Sequence, residues 1–301
     1  QYIALAMEGI ENQVMPPKIL MNRVLNQIKL QNVDSYINSP FYDAFEVLPD
    51  EISNDEQKQI REQAQITITN VVIPSYVKLL NFFENFYYPN CRDTIGISDI
   101  KNGSQYYELI ARQFTTTELT PDEIHNIGLS EVSRIKNEMF KVMDQVQWNG
   151  SFDEFLNFLR TDSQFYFETG EELFTEYLAT SKRIDPLLVK LFKDLPSMPY
   201  GLKPIPMESA PDTTTAYYQR PAADGSRAGY YYVNLYMPEV RPKYEIEALS
   251  LHEAMPGHHL QIAYTMELDL PNFRKYGGYT AFVEGWGLYA ESLGEDLGMY
   301  K

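Results

Sequence analysis

Signals for the start of a helix recur along the first 195 residues, and they constrain the fold more than any other feature. Ser53 and Glu56 have the Ser-x-x-Glu spacing of a capping box, and Ser151 and Glu154 repeat it. The segment Thr-Pro-Asp-Glu at 120–123 adds a proline and acidic residues to a first turn, where both favour a helix. Apolar residues follow each signal at helical spacing. The chain is therefore predicted to be mainly α.

The pattern changes near residue 196, where we place a boundary between two regions. Five prolines between residues 196 and 211 predict an extended linker. Two candidate strands follow, at 213–219 and 229–236, with Asp224-Gly225-Ser226 as a turn between them. We predict a helical region at 1–195 and a second region at 196–301 with a small β-hairpin or short antiparallel sheet. The two regions are expected to form one continuous structural unit.

Composition excludes several classes of protein. The chain has 42 acidic and 25 basic residues and a net charge of −17, which argues against binding nucleic acid or anionic lipid. Cys91 is the only cysteine, so an internal disulfide and a cysteine-rich zinc site are excluded. No run of 18 apolar residues occurs, so we expect no transmembrane segment. Because the chain begins at Gln1 and stops just after a strongly helical stretch, we expect it to be trimmed at both ends.

Three of the four histidines fall within eight residues, in a segment that begins His252-Glu253. In zinc peptidases a histidine followed by glutamate supplies one metal ligand and the general base. The second histidine normally stands four residues later, but that position is Pro256. We therefore predict that His252 binds zinc, that Glu253 is the general base, and that the second ligand lies further along the chain.

His258 and His259 are the two candidates for that second ligand. His258 is six residues after His252, which places it about 240° around an ideal helix. Proline and glycine at 256 and 257 can break the helix and return His258 to the metal, so it is the favoured ligand. His259 returns to nearly the same helix face but about 10.5 Å along the axis, and it stays open as the alternative.

A third ligand is expected from the helical segment at 280–291. Glu284 lies among Phe282, Val283 and Trp286 in sequence, so we expect it to be buried and to need a partner. A metal ion is one such partner, and a simple ion pair is the other. Glu291 is seven residues later on the same face and could orient a ligand histidine, or it could be solvated. Whichever of His258 and His259 does not bind the metal is expected to orient a ligand histidine in the same way.

These motifs resemble a known family. His-Glu-Ala-Met-Pro-Gly-His-His-Leu-Gln, followed by Phe-Val-Glu-Gly-Trp-Gly-Leu-Tyr-Ala-Glu, is similar to the bacterial "domain of unknown function 885" family and, distantly, to the gluzincin clan of zinc peptidases. The resemblance implies a metallopeptidase-like helical scaffold with catalysis in region 196–301. It maps zinc ligation onto His252, His258 and Glu284 and the base onto Glu253. It also implies an exported lipoprotein in the cell envelope or periplasm, with a cytoplasmic location still open.

The predicted function is zinc-dependent hydrolysis of a peptide substrate. Strand 229–236 is expected to pair with extended substrate, with Asn234 and Tyr232 as substrate-binding residues. Tyr279 is expected to stabilise the oxyanion. One alternative is a metal-dependent amidase or esterase acting on a non-peptide bond, and another is an inactive helical binding protein. A serine-triad hydrolase is disfavoured because no Gly-x-Ser-x-Gly motif occurs. Oligomeric state is left open.

Overall fold

The two predicted capping boxes and the predicted helix start at Thr120 each begin a helix in the computed structural model, which describes residues 1–300. In every case the hydroxyl accepts a hydrogen bond from the backbone N–H of the glutamate three residues on, and the glutamate bonds back to the cap. These bonds satisfy donors that a first turn otherwise leaves unpaired. A fourth box, formed by Thr169 and Glu172, was not predicted.

The chain divides into two compact units, of which the first comprises Gln1–Leu109. Its helices are α1 (Tyr2–Glu11), α2 (Lys18–Leu30), α3 (Asn54–Thr67), α4 (Ile73–Phe82) and α5 (Tyr88–Asn90). Two turns of π-helix, at Ile68–Val72 and Phe83–Tyr87, join α3, α4 and α5 into one helical run. Pro74, which the sequence predicts to kink or restart this helix, lies in the first turn of α4. There its missing N–H breaks little hydrogen bonding.

This run, Asn54–Asn90, is the one helix among residues 1–300 long and apolar enough to cross a membrane by length and composition. Its best 18-residue window has a mean hydropathy of 1.3, and 11% of that window is buried. A core helix or a signal sequence passes the same test. The expectation that the chain has no transmembrane segment therefore stays a prediction.

The second unit comprises Ile110–Lys301. Helix α6 (Gly103–Thr115) spans the division between the units. The remaining helices are α7 (Pro121–Gln145), α8 (Phe152–Thr161), α9 (Gly170–Ile184), α10 (Ile246–Glu253), α11 (His258–Glu267), α12 (Asn272–Tyr276) and α13 (Thr280–Leu297). A 3-10 helix occupies Asp185–Lys190. The predicted boundary at 195 marks a change of sequence pattern and does not coincide with this division near 110.

The second unit contains a mixed three-stranded sheet in the order β1-β3-β2. Strands β2 (Ala216–Gln219) and β3 (Gly229–Val233) form the predicted antiparallel hairpin, with shorter strands than expected. Strand β1 (Tyr200–Pro204) pairs in parallel with β3, so the sheet is not purely antiparallel. The sequence predicted linker there because of its prolines. An edge strand tolerates proline, since the missing N–H can face away from the ladder.

Helix α10 lies between two buried apolar clusters. The first joins α9, the sheet and α10, and consists of Leu173, Tyr177, Ala216, Tyr231, Val233, Ile246 and Ala254. The second joins α10 to α11 and α13, and consists of Ile184, Leu188, Leu251, Met255, Leu260, Leu297 and Met299. Burying each large apolar side chain contributes roughly 1.5–3 kcal/mol. Packing on both sides therefore fixes α10, and with it the His252-Glu253 pair at its end.

Candidate metal centre

The interruption predicted between the histidines is present. Helix α10 ends at Glu253, Ala254 leaves helical geometry with φ −101° and ψ −108°, and α11 begins at His258. A Cβ added at Gly257 would lie 1.8 Å from the carbonyl oxygen of His252, so no larger residue fits without rearrangement. The indole N–H of Trp286 on α13 donates to the carbonyl oxygen of Pro256 at 2.9 Å. The break is thus tied to the helix that carries Glu284.

His252, His258 and Glu284 converge. His252 Nε2 lies 3.6 Å from Glu284 Oε2, and His258 Nε2 lies 3.7 Å from the same oxygen. One ligand atom from each residue falls within 4.8 Å of the other two. Ligands at the corners of a zinc tetrahedron are about 3.4 Å apart, given bonds of about 2.1 Å. The spacing therefore suits one small cation after modest side-chain adjustment.

His252 is held with its Nε2 toward this cluster. Its Nδ1 lies 2.7 Å from Glu291 Oε1, and because a carboxylate accepts, Nδ1 carries the proton. Nε2 then presents a lone pair, as a metal ligand must. The placement of Glu291 matches the predicted orienting role.

His258 is buried, and its Nδ1 has no hydrogen-bond partner among residues 1–300. Burial lowers the pKa of its imidazole, the charge of His252 lowers it further, and Glu284 acts in the opposite direction. A lowered pKa favours the neutral imidazole at neutral pH. That neutral form is the one that binds metal.

The prediction that Glu284 is buried was wrong. Its side chain is 57% exposed, and neighbouring Phe282 is exposed as well. Helix α13 buries Gly287 and Ala290 instead, so the apolar residues beside Glu284 in sequence do not enclose it. The carboxylate therefore pays no large desolvation cost. Its assignment as a ligand rests on its position and not on burial.

Glu253 is buried beside the cluster, with 7% of its surface exposed. Burial raises the pKa of its carboxyl to about 7. The charge of His252 lowers this pKa, Glu284 raises it, and a backbone hydrogen bond from Tyr218 lowers it. A carboxyl that titrates near neutral pH can both accept and release a proton, which is what a general base and acid requires.

His259 lies in a different environment and does not face the cluster. Its Nε2 lies 2.9 Å from the carbonyl oxygen of Met198, so Nε2 carries the proton, and Nδ1 accepts from the Tyr218 hydroxyl at 2.8 Å. Burial lowers its pKa to about 4. Both nitrogens are occupied, which leaves His258 as the second-ligand candidate. The orienting role expected of His259 is also wrong, since it holds β2 and the segment before β1.

Asn234 does not have the geometry of a substrate-binding residue. It is fully buried, and its Nδ2 donates to the carbonyl oxygen of Ala210 at 2.7 Å. Its Oδ1 accepts from the backbone N–H of Tyr236 at 3.0 Å. The side chain instead fastens the loop before β2 to the end of β3, and substrate cannot reach it.

The positions of Tyr232 and strand β3 also differ from the predicted substrate-binding arrangement. β3 is the central strand and has β1 and β2 on its two edges, so no edge remains to pair with substrate. Side chains alternate along a strand, and Tyr231 faces the buried cluster that contacts α10. Tyr232 therefore faces the opposite side, where it stacks on Tyr217 at 4.9 Å.

Tyr279 precedes the first residue of α13 and is 66% exposed. It makes no side-chain hydrogen bond among residues 1–300 and lines a cleft beside the cluster. Its predicted oxyanion role stays a prediction. Tyr218 was not predicted as a site residue, although its backbone contacts Glu253 and its hydroxyl contacts His259. No local signal distinguishes it from the other tyrosines of the hairpin.

Comparison with known proteins confirms the predicted family and adds a structural relative. The model of the family described as "Bacterial protein of unknown function (DUF885)" matches residues 1–301. No curated protein matches. A crystal structure described as "the putative lipoprotein from Colwellia psychrerythraea" is similar, with TM-score 0.91 and 29% identity over 99% of this chain. The chain spans 52% of that protein, or about half its length. The chain thus belongs to the bacterial DUF885 family, whose function is unknown.

Proposed function

We propose that this chain is a zinc-dependent hydrolase that cleaves peptide bonds. The observation that carries the proposal is the convergence of His252, His258 and Glu284, whose ligand atoms lie within 4.8 Å of one another. Two imidazoles and one carboxylate form the donor set of a catalytic zinc site that leaves one position for water. Glu253 adjoins this cluster in the buried position that a general base would need.

The donor chemistry fits zinc better than the hard cations. Calcium and magnesium prefer sites built from oxygen ligands, whereas imidazole nitrogens suit zinc and its transition-metal neighbours. The hydrogen bond from His252 Nδ1 to Glu291 fixes the tautomer that leaves Nε2 free. The exposed carboxylate of Glu284 supplies negative charge without a desolvation penalty.

Glu253 and Glu291 have separate roles in the proposed reaction. When bound, zinc lowers the pKa of a water molecule and polarises the scissile carbonyl. Glu253 accepts the proton from the attacking water and delivers it to the leaving amine. Glu291 holds the His252 ring in place during this transfer. The residues that bind substrate are to be sought outside strand β3, because Asn234 and Tyr232 do not reach the cluster.

The proposal extends to location. The similar crystal structure is described as that of a "putative lipoprotein", and lipoproteins are attached to membranes of the cell envelope. We propose a cell-envelope location for the full-length protein to which this chain corresponds. Fractionation of the native host, with detection of the protein in membrane or periplasmic fractions, tests this. Recovery only in the cytoplasm would contradict it.

Metal content tests the central proposal. Elemental analysis after zinc loading and desalting should find one zinc per chain, and the His252→Ala variant should lose it. A panel of peptides, esters and non-peptide amides then separates peptidase from amidase or esterase chemistry. If the wild type retains no zinc and hydrolyses nothing after zinc addition, the alternative of an inactive helical binding protein is favoured.

A further inference from the structure

A cleft of about 600 Å³ opens beside the first turns of α13, among α11, α12 and the end of β2. Gln261 of α11 and Phe282 of α13 both line it. Gln261 follows the candidate ligand His258 by three residues, or about 4.5 Å along the helix axis. Phe282 precedes Glu284 by two residues. The cleft therefore adjoins the His252, His258 and Glu284 cluster.

The cleft is cationic in a strongly acidic chain. Arg220, Arg274 and Lys275 line it, and no acidic residue does. Within residues 1–300, none of the three side chains forms an ion pair or a hydrogen bond. The chain as a whole has a net charge of −17. Three unpaired cations around one cleft thus form a local field that favours an anionic group.

Gln261 connects the two helices that form one wall of the cleft. Gln261 is 8% exposed, and its Nε2 donates to the carbonyl oxygen of Phe282 at 3.2 Å. That bond fixes the orientation of the amide, because a carbonyl can only accept. Gln261 Oε1 has no partner within residues 1–300. This oxygen exposes less than 1 Å² of surface, so Gln261 forms part of the wall of the cleft and its oxygen is not open to a ligand.

We propose that this cleft binds the carboxylate-bearing side of a peptide substrate. Arg220 and Arg274 bind the carboxylate. Guanidinium groups suit a carboxylate because they can form two parallel hydrogen bonds with it. A peptide is favoured as the source of this carboxylate because the cleft adjoins the proposed catalytic cluster. The inference rests on the proposed function and adds a substrate class: peptides with an acidic group near the scissile bond.

Binding to the zinc-free chain tests the cleft without requiring catalysis. Three N-acetylated peptides are compared by calorimetry: one with a C-terminal carboxylate, the same peptide with a C-terminal amide, and the amidated peptide with one residue replaced by glutamate. We expect a carboxylate peptide to bind roughly tenfold more tightly than the neutral amide, the factor typical of one charge-assisted contact. Preference for the first peptide identifies the C-terminus as the source of the carboxylate, and preference for the third identifies a side chain.

Substitutions of the cleft arginines show which side chains cause the preference for a carboxylate peptide. Arg220→Gln and Arg274→Gln should each abolish most of this preference, and both residues are exposed, so folding is not expected to suffer. Arg23→Gln is the matched control, since Arg23 is an exposed arginine of α2 without an ion pair within residues 1–300. Equal binding of all three peptides, or equal weakening by Arg274→Gln and Arg23→Gln, would overturn the inference.

The zinc-loaded protein separates this inference from the proposed function. Arg274→Gln should raise KM for the acidic peptide roughly tenfold and leave kcat little changed, because the contact is made equally in the ground state and the transition state. Hydrolysis without any acidic preference would reject the cleft assignment alone. A carboxylate preference in binding, with no hydrolysis of any peptide, would reject the peptidase proposal alone.

Discussion

The imidazole of His252 lies directly against the backbone of Gly287. A Cβ added at position 287 would approach His252 Cε1 and Nε2 to 2.7 Å, closer than Cβ contacts in real proteins. Glycine at 287 therefore gives the ring the space in which its Nδ1 reaches Glu291 and its Nε2 faces Glu284. Gly285, two residues earlier in the same helix, has nothing within 4 Å of its added Cβ.

Gly287→Ala is expected to weaken zinc binding at least roughly tenfold, because the new methyl group must displace a ligand ring. Gly285→Ala is the matched control: it should stabilise the helix by up to about 1 kcal/mol and leave zinc affinity unchanged. Chelator competition measures affinity, and denaturant unfolding measures stability. Equal zinc affinity of the two variants would show that the contact with Gly287 does not position His252.

Glu253→Gln is expected to abolish hydrolysis while zinc remains bound. The amide keeps the size of the side chain but cannot accept the proton, and loss of a general base typically costs about 10²–10⁴-fold in rate. Turnover is measured together with zinc content. Substantial activity in a zinc-replete Glu253→Gln protein would refute the assignment of the base.

Asn234→Ala is expected to destabilise the protein by roughly 2–4 kcal/mol, since it removes a buried hydrogen bond to the Ala210 carbonyl oxygen and leaves the backbone N–H of Tyr236 without its partner. KM should not change. Asn149→Ala, at an exposed asparagine, should shift stability by less than about 0.5 kcal/mol. A raised KM with unchanged stability would instead restore the substrate-binding role.

The hydrogen bonds of the Glu267 carboxylate predict that the stability of the protein depends on pH. Glu267 Oε1 accepts hydrogen bonds from the backbone N–H groups of Ser197 and Met198 and from the Ser197 hydroxyl. Partial burial alone would raise the pKa of this carboxyl, but the three bonds together lower it. Because the folded-state pKa is lowered, the stabilisation is present above the unfolded pKa and is lost as pH falls through the folded value.

Glu267→Gln should therefore lower stability at pH 6–7 by less than about 1 kcal/mol, since the site is exposed, and the difference should diminish as pH falls below the unfolded pKa of the carboxyl. Denaturant unfolding across this pH range measures the effect. Glu118→Gln is the control, because Glu118 is exposed and makes no side-chain hydrogen bond or ion pair within residues 1–300. If the stability difference between the wild type and Glu267→Gln grew as pH fell, the predicted direction of the pH dependence would be wrong.

The helices were predicted where their determinants are local. A capping box involves two residues three positions apart, so Ser53 with Glu56 and Ser151 with Glu154 could be identified from the sequence. The break before His258 was predicted for the same reason, since Pro256 and Gly257 act on their own backbone. Strand β1 was missed because its pairing with β3 is a long-range contact without a local signal.

The sequence by itself determined that the chain is mainly helical, that a helix is interrupted between His252 and His258, and which residue types could bind a metal. Tertiary structure decided which of these side chains meet. It turned His259 toward Met198 and Tyr218, placed Glu284 in an exposed position, and buried Asn234 in a loop contact. The physical reason is that capping and helix breaking act over a few residues. The direction and burial of a side chain depend on which distant segments pack against it.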